Sequence, residues 1–102
     1  WAPDYQDPVN FLEQYVTGGG INFGNYSSEA YDKAVAEVKT TYATKPAERY
    51  KQMIAAEKIV MDDVAIAPIY QASQSYLLAE NVDGFEVLPF GRTINLRQAS
   101  VK

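Results

Sequence analysis

The sequence predicts an α+β fold of about three helices followed by several short strands, and three observations carry that prediction. Residues 31–42 hold one apolar stripe at helical spacing, and strand-like patterning begins only after Asp63. Prolines and glycines mark most of the boundaries between segments. A chain of 102 residues, 47% hydrophobic and 22% charged, has the size and make-up of one globular domain with a core. So short a domain buries only about 60 to 65% of its unfolded surface, so its stability should be modest and a missing partner would be felt.

The opening WAPDYQD mixes two aromatics, a proline and two acids, as ordered loops do. Asp7 reads as an N-cap with Pro8 at the first helical position, where a missing N–H costs nothing. The first helix then runs to about Tyr15 or Val16 and is expected to bury Phe11, Leu12 and Tyr15. It ends near Gly18, Gly19 and Gly20, which permit left-handed backbone. That triple glycine is a flexible connection, since a phosphate cradle needs a preceding strand and a following Lys-Ser/Thr.

INFGNY forms a polar loop, and Ser27 is expected to cap a second helix whose first turn carries Glu29. Tyr31, Ala34, Val35, Val38 and Tyr42 fall at the i, i+3, i+4, i+7 and i+11 positions of one buried stripe. Pro46 starts a third helix, capped by Thr44 or Lys45. Its apolar residues, Tyr50, Met53, Ile54, Ala55, Ala56, Ile59, Val60 and Met61, cover more than one stripe and imply contacts on two sides. VAIAPIY reads as a buried strand with an irregularity at Pro68. SYLLA, GFEVLPF and INLRQASV alternate like strands, separated by NVDG and FGRT with their turn glycines.

The net charge is −4, from 9 basic and 13 acidic residues, and the basic residues are scattered, which makes nucleic acid a poor partner. No stretch approaches the ~20 apolar residues of a membrane span, and the N-terminus lacks a signal-peptide pattern. The absence of cysteine removes disulfides and thiolate sites and leaves the compartment open. A start at Trp1, a turn-rich opening and a strand-like end suggest a piece of something longer.

Enzyme chemistry finds little to work with. His and Cys are absent, and with them the commonest bases, nucleophiles and transition-metal ligands; no cofactor or metal is expected. Asp62 and Asp63 are adjacent on a helix end, where side chains point apart, and no SxxK or GxSxG spacing occurs. The loop around Asp4 differs, because a carboxylate between Trp1 and Tyr5 has the make-up of a site for a cationic amine: aromatic walls exclude water and the acid neutralises the ammonium. The plain alternative is that the aromatics pack and Asp4 accepts loop hydrogen bonds. Asn25 and Tyr26 carry the same two readings. Glu57 interrupts the apolar face of the third helix and reads as seeking a tertiary partner.

The order of motifs resembles the oligopeptide-binding proteins of peptide importers, the solute-binding family that includes peptide, pheromone and dipeptide receptors. WAPDYQDPVNFL is similar to that family's W-x-x-D-Y-x-D/E-P-x-x-F/Y-L segment. Asn22, Asn25, Tyr26, Ser27, Ser28, Tyr31 and Asp32 follow as N-x-x-N-Y-S-S-x-x-Y-D, then E-R-Y-K at Glu48 to Lys51, A-E-K-I-V-M-D-D at Ala56 to Asp63, and V-D-G-F-E near the end. The likeness spans essentially the whole chain.

The resemblance implies a lobe fragment of the periplasmic-binding-protein type, from the C-terminal part of a receptor that holds oligopeptides between two lobes by backbone contacts. It implies that Asp4 pairs with the peptide α-amino group, with Trp1 and Tyr5 as neighbours; Asn25 and Tyr26 complete the set of candidate ligand contacts. Where some relatives carry a disulfide-forming cysteine, this chain has Ala2 or Pro3. It further implies an extracytoplasmic place, in the periplasm or lipid-anchored at the cell surface, and importer permease subunits as partners. Residues 1–75 would belong to the C-terminal lobe and 76–102 would return to the N-terminal lobe, with the crossing near Gln71 to Ser75. Strands after Tyr76 would then lack their usual neighbours, and the isolated chain is expected to rearrange, to associate with another copy, or to occur only as a proteolytic remnant. An oligosaccharide or other solute on the same scaffold, or a helix-rich interaction module, is the alternative.

Overall fold

A computed structural model describes residues 3–73, 75–88 and 94–102. The described residues fall into two compact units. One spans Asp7–Pro68, and the other is formed by the described residues on either side of it.

The first unit is helical. α1 covers Val9–Leu12 and passes into a 3-10 turn, Glu13–Tyr15. α2 covers Glu29–Lys39 and α3 covers Pro46–Asp62. Asp7 accepts a hydrogen bond from the Val9 N–H through Oδ1 at 3.0 Å, which supplies a partner to an early helical donor while Pro8 has none to satisfy. The expected first helix is thus present, with its second half tightened. Leu12 is buried and Tyr15 half-buried, but Phe11 is 48% exposed, contrary to expectation. Asn10, one position away, is buried in its stead.

The cap of α2 is Ser28 rather than Ser27: the Ser28 Oγ accepts from the Tyr31 N–H at 3.3 Å. Ser27 instead shares a 3.1 Å hydrogen bond with the Thr17 hydroxyl. Both serines suit a cap by type, and only the backbone decides which one has the extended geometry. The stripe Tyr31, Ala34, Val35 and Val38 is buried as expected, and Tyr42 lies beyond the helix end, half-buried. Met53, Ala56 and Val60 of α3 meet this stripe and close the core. Contacts on a second side of α3 were expected, yet Tyr50, Ile54 and Met61 remain 58%, 51% and 41% exposed. The second apolar stripe exists, and among the described residues it has no layer over it.

Lys45 precedes α3 without a side-chain cap, and Pro46 takes the first turn. α3 ends with Ala65 N–H bonded to the Val60 carbonyl at 3.1 Å and Val64 at φ 52°. That left-handed position normally falls to glycine.

In the second unit, β1 (Val82–Asp83) pairs antiparallel with β4 (Ser100–Val101), and β2 (Glu86–Val87) with β3 (Ile94–Asn95). Gly84 turns the chain between β1 and β2 at φ 68°, and a Cβ there would lie 2.0 Å from the Gln98 carbonyl oxygen. The strands expected over VAIAPIY and SYLLA do not form: described residues from Ala65 to Ala79 carry no ladder. Ile69, Tyr70 and Leu77 are 89%, 83% and 103% exposed. An extended run becomes a strand only when another strand pairs with it, and the described residues supply no such strand here. The FGRT turn falls at 90–93, outside the described residues.

Candidate functional site

The loop that leads into α1 is held at its end by ion pairing. Arg49 Nη1 lies 2.9 Å from Asp7 Oδ2, with both side chains largely buried. The same guanidinium donates through Nε to the Val38 carbonyl at 3.1 Å, serving one of the free carbonyls at the end of α2. Burial opposes the Asp7 charge, but the Val9 N–H and Arg49 outweigh it and hold the carboxyl below its usual range. One arginine therefore ties the start of α1, the end of α2 and the first turns of α3 together.

Asp4 and Tyr5 lie on the bend just before this anchor, both exposed, with Tyr5 at 43%. Trp1, the third candidate of this loop, lies outside the described residues.

Asn25 and Tyr26 belong to the helical unit, whereas Asp4 and Tyr5 belong to the other. Their loop is built around Asn22, which is buried. The Asn22 amide donates to the carbonyls of Val16 at 3.1 Å and Tyr26 at 2.7 Å, and its Oδ1 accepts from the Tyr26 N–H at 3.0 Å. Asn25 takes the left-handed conformation, φ 51°, that this tight turn needs, and its side chain is exposed. Tyr26 stands edge-on to Tyr31 at 5.7 Å, and its hydroxyl donates to Asp63 Oδ2 at 2.5 Å. Burial, and then the Asp63 carboxylate, raise its pKa above that of a free phenol.

Much of what the sequence offered as motif is thus framework. Tyr31, buried, donates to the Leu12 carbonyl at 2.6 Å, and burial pushes its pKa upward. Asp32 receives the Thr17 N–H at 2.9 Å. Asn22 and Arg49 had no singled-out role in the sequence reading. The signal that could have found them is chemical: a polar side chain beside a glycine-rich loop, and an arginine one helix away from an N-cap acid.

Among the described residues no group of three or more acidic side chains gathers to hold a metal, and no helix is long and apolar enough to cross a membrane. An apolar concavity of about 320 Å³ lies along α1 and α3 in the helical unit, between Phe11, Tyr15, Tyr50, Ile54 and Met61.

No family model matches the chain. It is 33% identical over 91 residues to the dipeptide-binding protein DppE of Bacillus subtilis, a match covering 89% of this chain and 16% of that protein. Other curated relatives at 31 to 33% identity are named periplasmic. The substrate-binding domain of an oligopeptide ABC transporter from Bacillus anthracis superposes with a TM-score of 0.90 at 26% identity, over 99% of this chain and 20% of that one. OppA of Listeria monocytogenes, solved bound to peptide, superposes with a TM-score of 0.82 at 37% identity, over 99% of this chain and 18% of that one.

Proposed function

The chain is homologous to one segment of the oligopeptide- and dipeptide-binding proteins, and from that kinship we propose that it forms part of the substrate-binding component of a peptide ABC importer. The observation that carries the proposal is a likeness running along essentially all of this chain in both sequence and fold, to proteins named for binding peptides rather than for catalysis. The chain spans less than a fifth of the curated relatives it matches first, 16% of DppE, so the activity proposed is that of a larger receptor.

In this reading Asp4 anchors the peptide α-amino group and Trp1 and Tyr5 flank it. One feature supports Asp4: its carboxylate stands on an exposed bend of the opening loop. Asn25 and Tyr26 enter as second-rank contacts, Asn25 by its exposed side chain. The receptor works outside the cytoplasm, lipid-anchored or free, and hands its ligand to the importer's permease subunits. Residues 1–75 and 76–102 serve different lobes, with the crossing at Gln71 to Ser75. By itself the 102-residue chain self-associates, because among the described residues each ladder has two strands and no third strand pairs with either ladder.

The test is a hybrid receptor in which this chain replaces the matching segment of the Listeria protein. Calorimetry with tri-alanine should show saturable binding. A hybrid that folds and takes up no tri-alanine at millimolar concentration overturns the proposal.

A further inference from the structure

The third helix ends on a residue ill suited to its backbone. Val64 stands at φ 52°, the left-handed region in which a β-branched side chain crowds the following carbonyl, and it is 74% exposed. Its own packing does not hold it there, so the residues on either side must. After it, the Ala65 N–H bonds to the Val60 carbonyl at 3.1 Å, and Ala65 and Ile66 pack against the core. Before it, Asp63 closes the last turn by donating its N–H to the Ile59 carbonyl at 2.9 Å. The Asp63 carboxylate accepts the Tyr26 hydroxyl at 2.5 Å, a contact that spans 37 residues of sequence.

We propose that the Tyr26–Asp63 hydrogen bond is the latch that keeps Val64 left-handed, and that Tyr26 is the positioning residue for the path the chain takes out of α3. Tyr26 is fixed independently of α3. The Asn22 side chain holds both its carbonyl and its N–H, at 2.7 and 3.0 Å, and its ring stands edge-on to the buried Tyr31 at 5.7 Å. The bond ends on a carboxylate, and hydrogen bonds of that kind are roughly twice as strong as neutral ones. The two adjacent acids are divided between two tasks: Asp62 pairs with Lys58, one turn back on the surface of α3, at 2.7 Å, and Asp63 serves the latch. With Asp63 so held, the chain reverses at Val64 and brings Ala65 to the Val60 carbonyl and the core. Without the hydroxyl, Asp63 and Val64 can relax to backbone conformations open to any residue, and the Ala65 hydrogen bond is lost. The inference does not rest on the receptor reading, since every residue in it belongs to the helical unit. It gives the Tyr26 hydroxyl a role inside the protein, exercised through Asp63.

Amide hydrogen exchange of the 102-residue chain tests the latch, with the Ala65 amide as reporter and the Val35 amide, inside α2, as reference in the same sample. Taking the ratio of the two rates removes any change in global stability. Tyr26→Phe keeps the ring and deletes only the hydroxyl. The Ala65 rate relative to Val35 should rise about tenfold or more in Tyr26→Phe. Adding Val64→Gly to that variant should return the ratio to within about threefold of the parent, because glycine holds the left-handed conformation without a latch. Asp63→Ala breaks the same bond from its other end and should give the same pair of results, which keeps the test open should Tyr26→Phe fail to fold. An unchanged ratio overturns the inference, since Val64 then stays reversed without the hydroxyl. So does a raised ratio that Val64→Gly leaves raised, because the hydroxyl then acts elsewhere than on Val64. A parent chain whose Ala65 amide is unprotected overturns it as well.

Discussion

Val64 shows what a single residue can cost. It sits at φ 52° at the end of α3, a conformation in which a β-branched side chain crowds its own backbone, and its side chain is 74% exposed. Packing does not compensate it. Val64→Gly should therefore stabilise the helical unit by roughly 0.5 to 1 kcal/mol, the relief of strain exceeding the added freedom of the unfolded chain. Chemical denaturation of the two proteins gives the answer, and a loss of stability on Val64→Gly would mean that the position is not strained. Asp7 makes a pH-dependent contribution. Its carboxyl is held below the usual range in the folded chain, so the unfolded chain binds its proton first as the pH falls. The stability that Asp7 contributes is complete above about pH 5 and fades as the pH drops from about 3.9 through the lower folded value. The difference in stability between the parent chain and Asp7→Asn should shrink over that window, and a difference that stayed constant down to pH 2 would contradict the pairing with Arg49.

At the scale of elements, the helices were legible because their signals are local. The stripe Tyr31, Ala34, Val35 and Val38 needs only the 3.6-residue repeat, and Pro46 needs only its fixed φ. What escaped was one-residue register. Ser27 and Ser28 are equivalent as letters, and the extended backbone at Ser28, φ −151°, decides between them. Ser28→Ala should accordingly cost about 1 kcal/mol, read from denaturant titration of the helical unit, and Ser27→Ala distinctly less. The reverse order would restore the sequence expectation. The strands were legible only as extended chain, because a ladder depends on a partner that a single segment does not encode. VAIAPIY has the composition of a buried strand, yet Ile69 and Tyr70 stand in the open.

For the whole molecule, the sequence motifs and the structure divide the work unevenly. Asn22, Tyr31, Asp32 and Arg49 sit inside the motifs that gave the likeness to peptide receptors, and the structure uses each to tie loops and helices together. That Asp4 stands on an exposed loop was legible in the sequence; that it and Asn25 and Tyr26 belong to separate units was not. Among the described residues, the second stripe of α3 is exposed and the run from Ala65 to Ala79 carries no ladder. The central claim is that Asp4 reads a free amine in the proposed receptor. Calorimetry of the hybrid with tri-alanine and with N-acetyl-tri-alanine measures this most directly. The account predicts that acetylation weakens binding by on the order of 2 to 5 kcal/mol, and that Asp4→Asn weakens the free peptide by a similar amount while leaving little difference between the two ligands. Equal affinities of the parent hybrid for both peptides would contradict it.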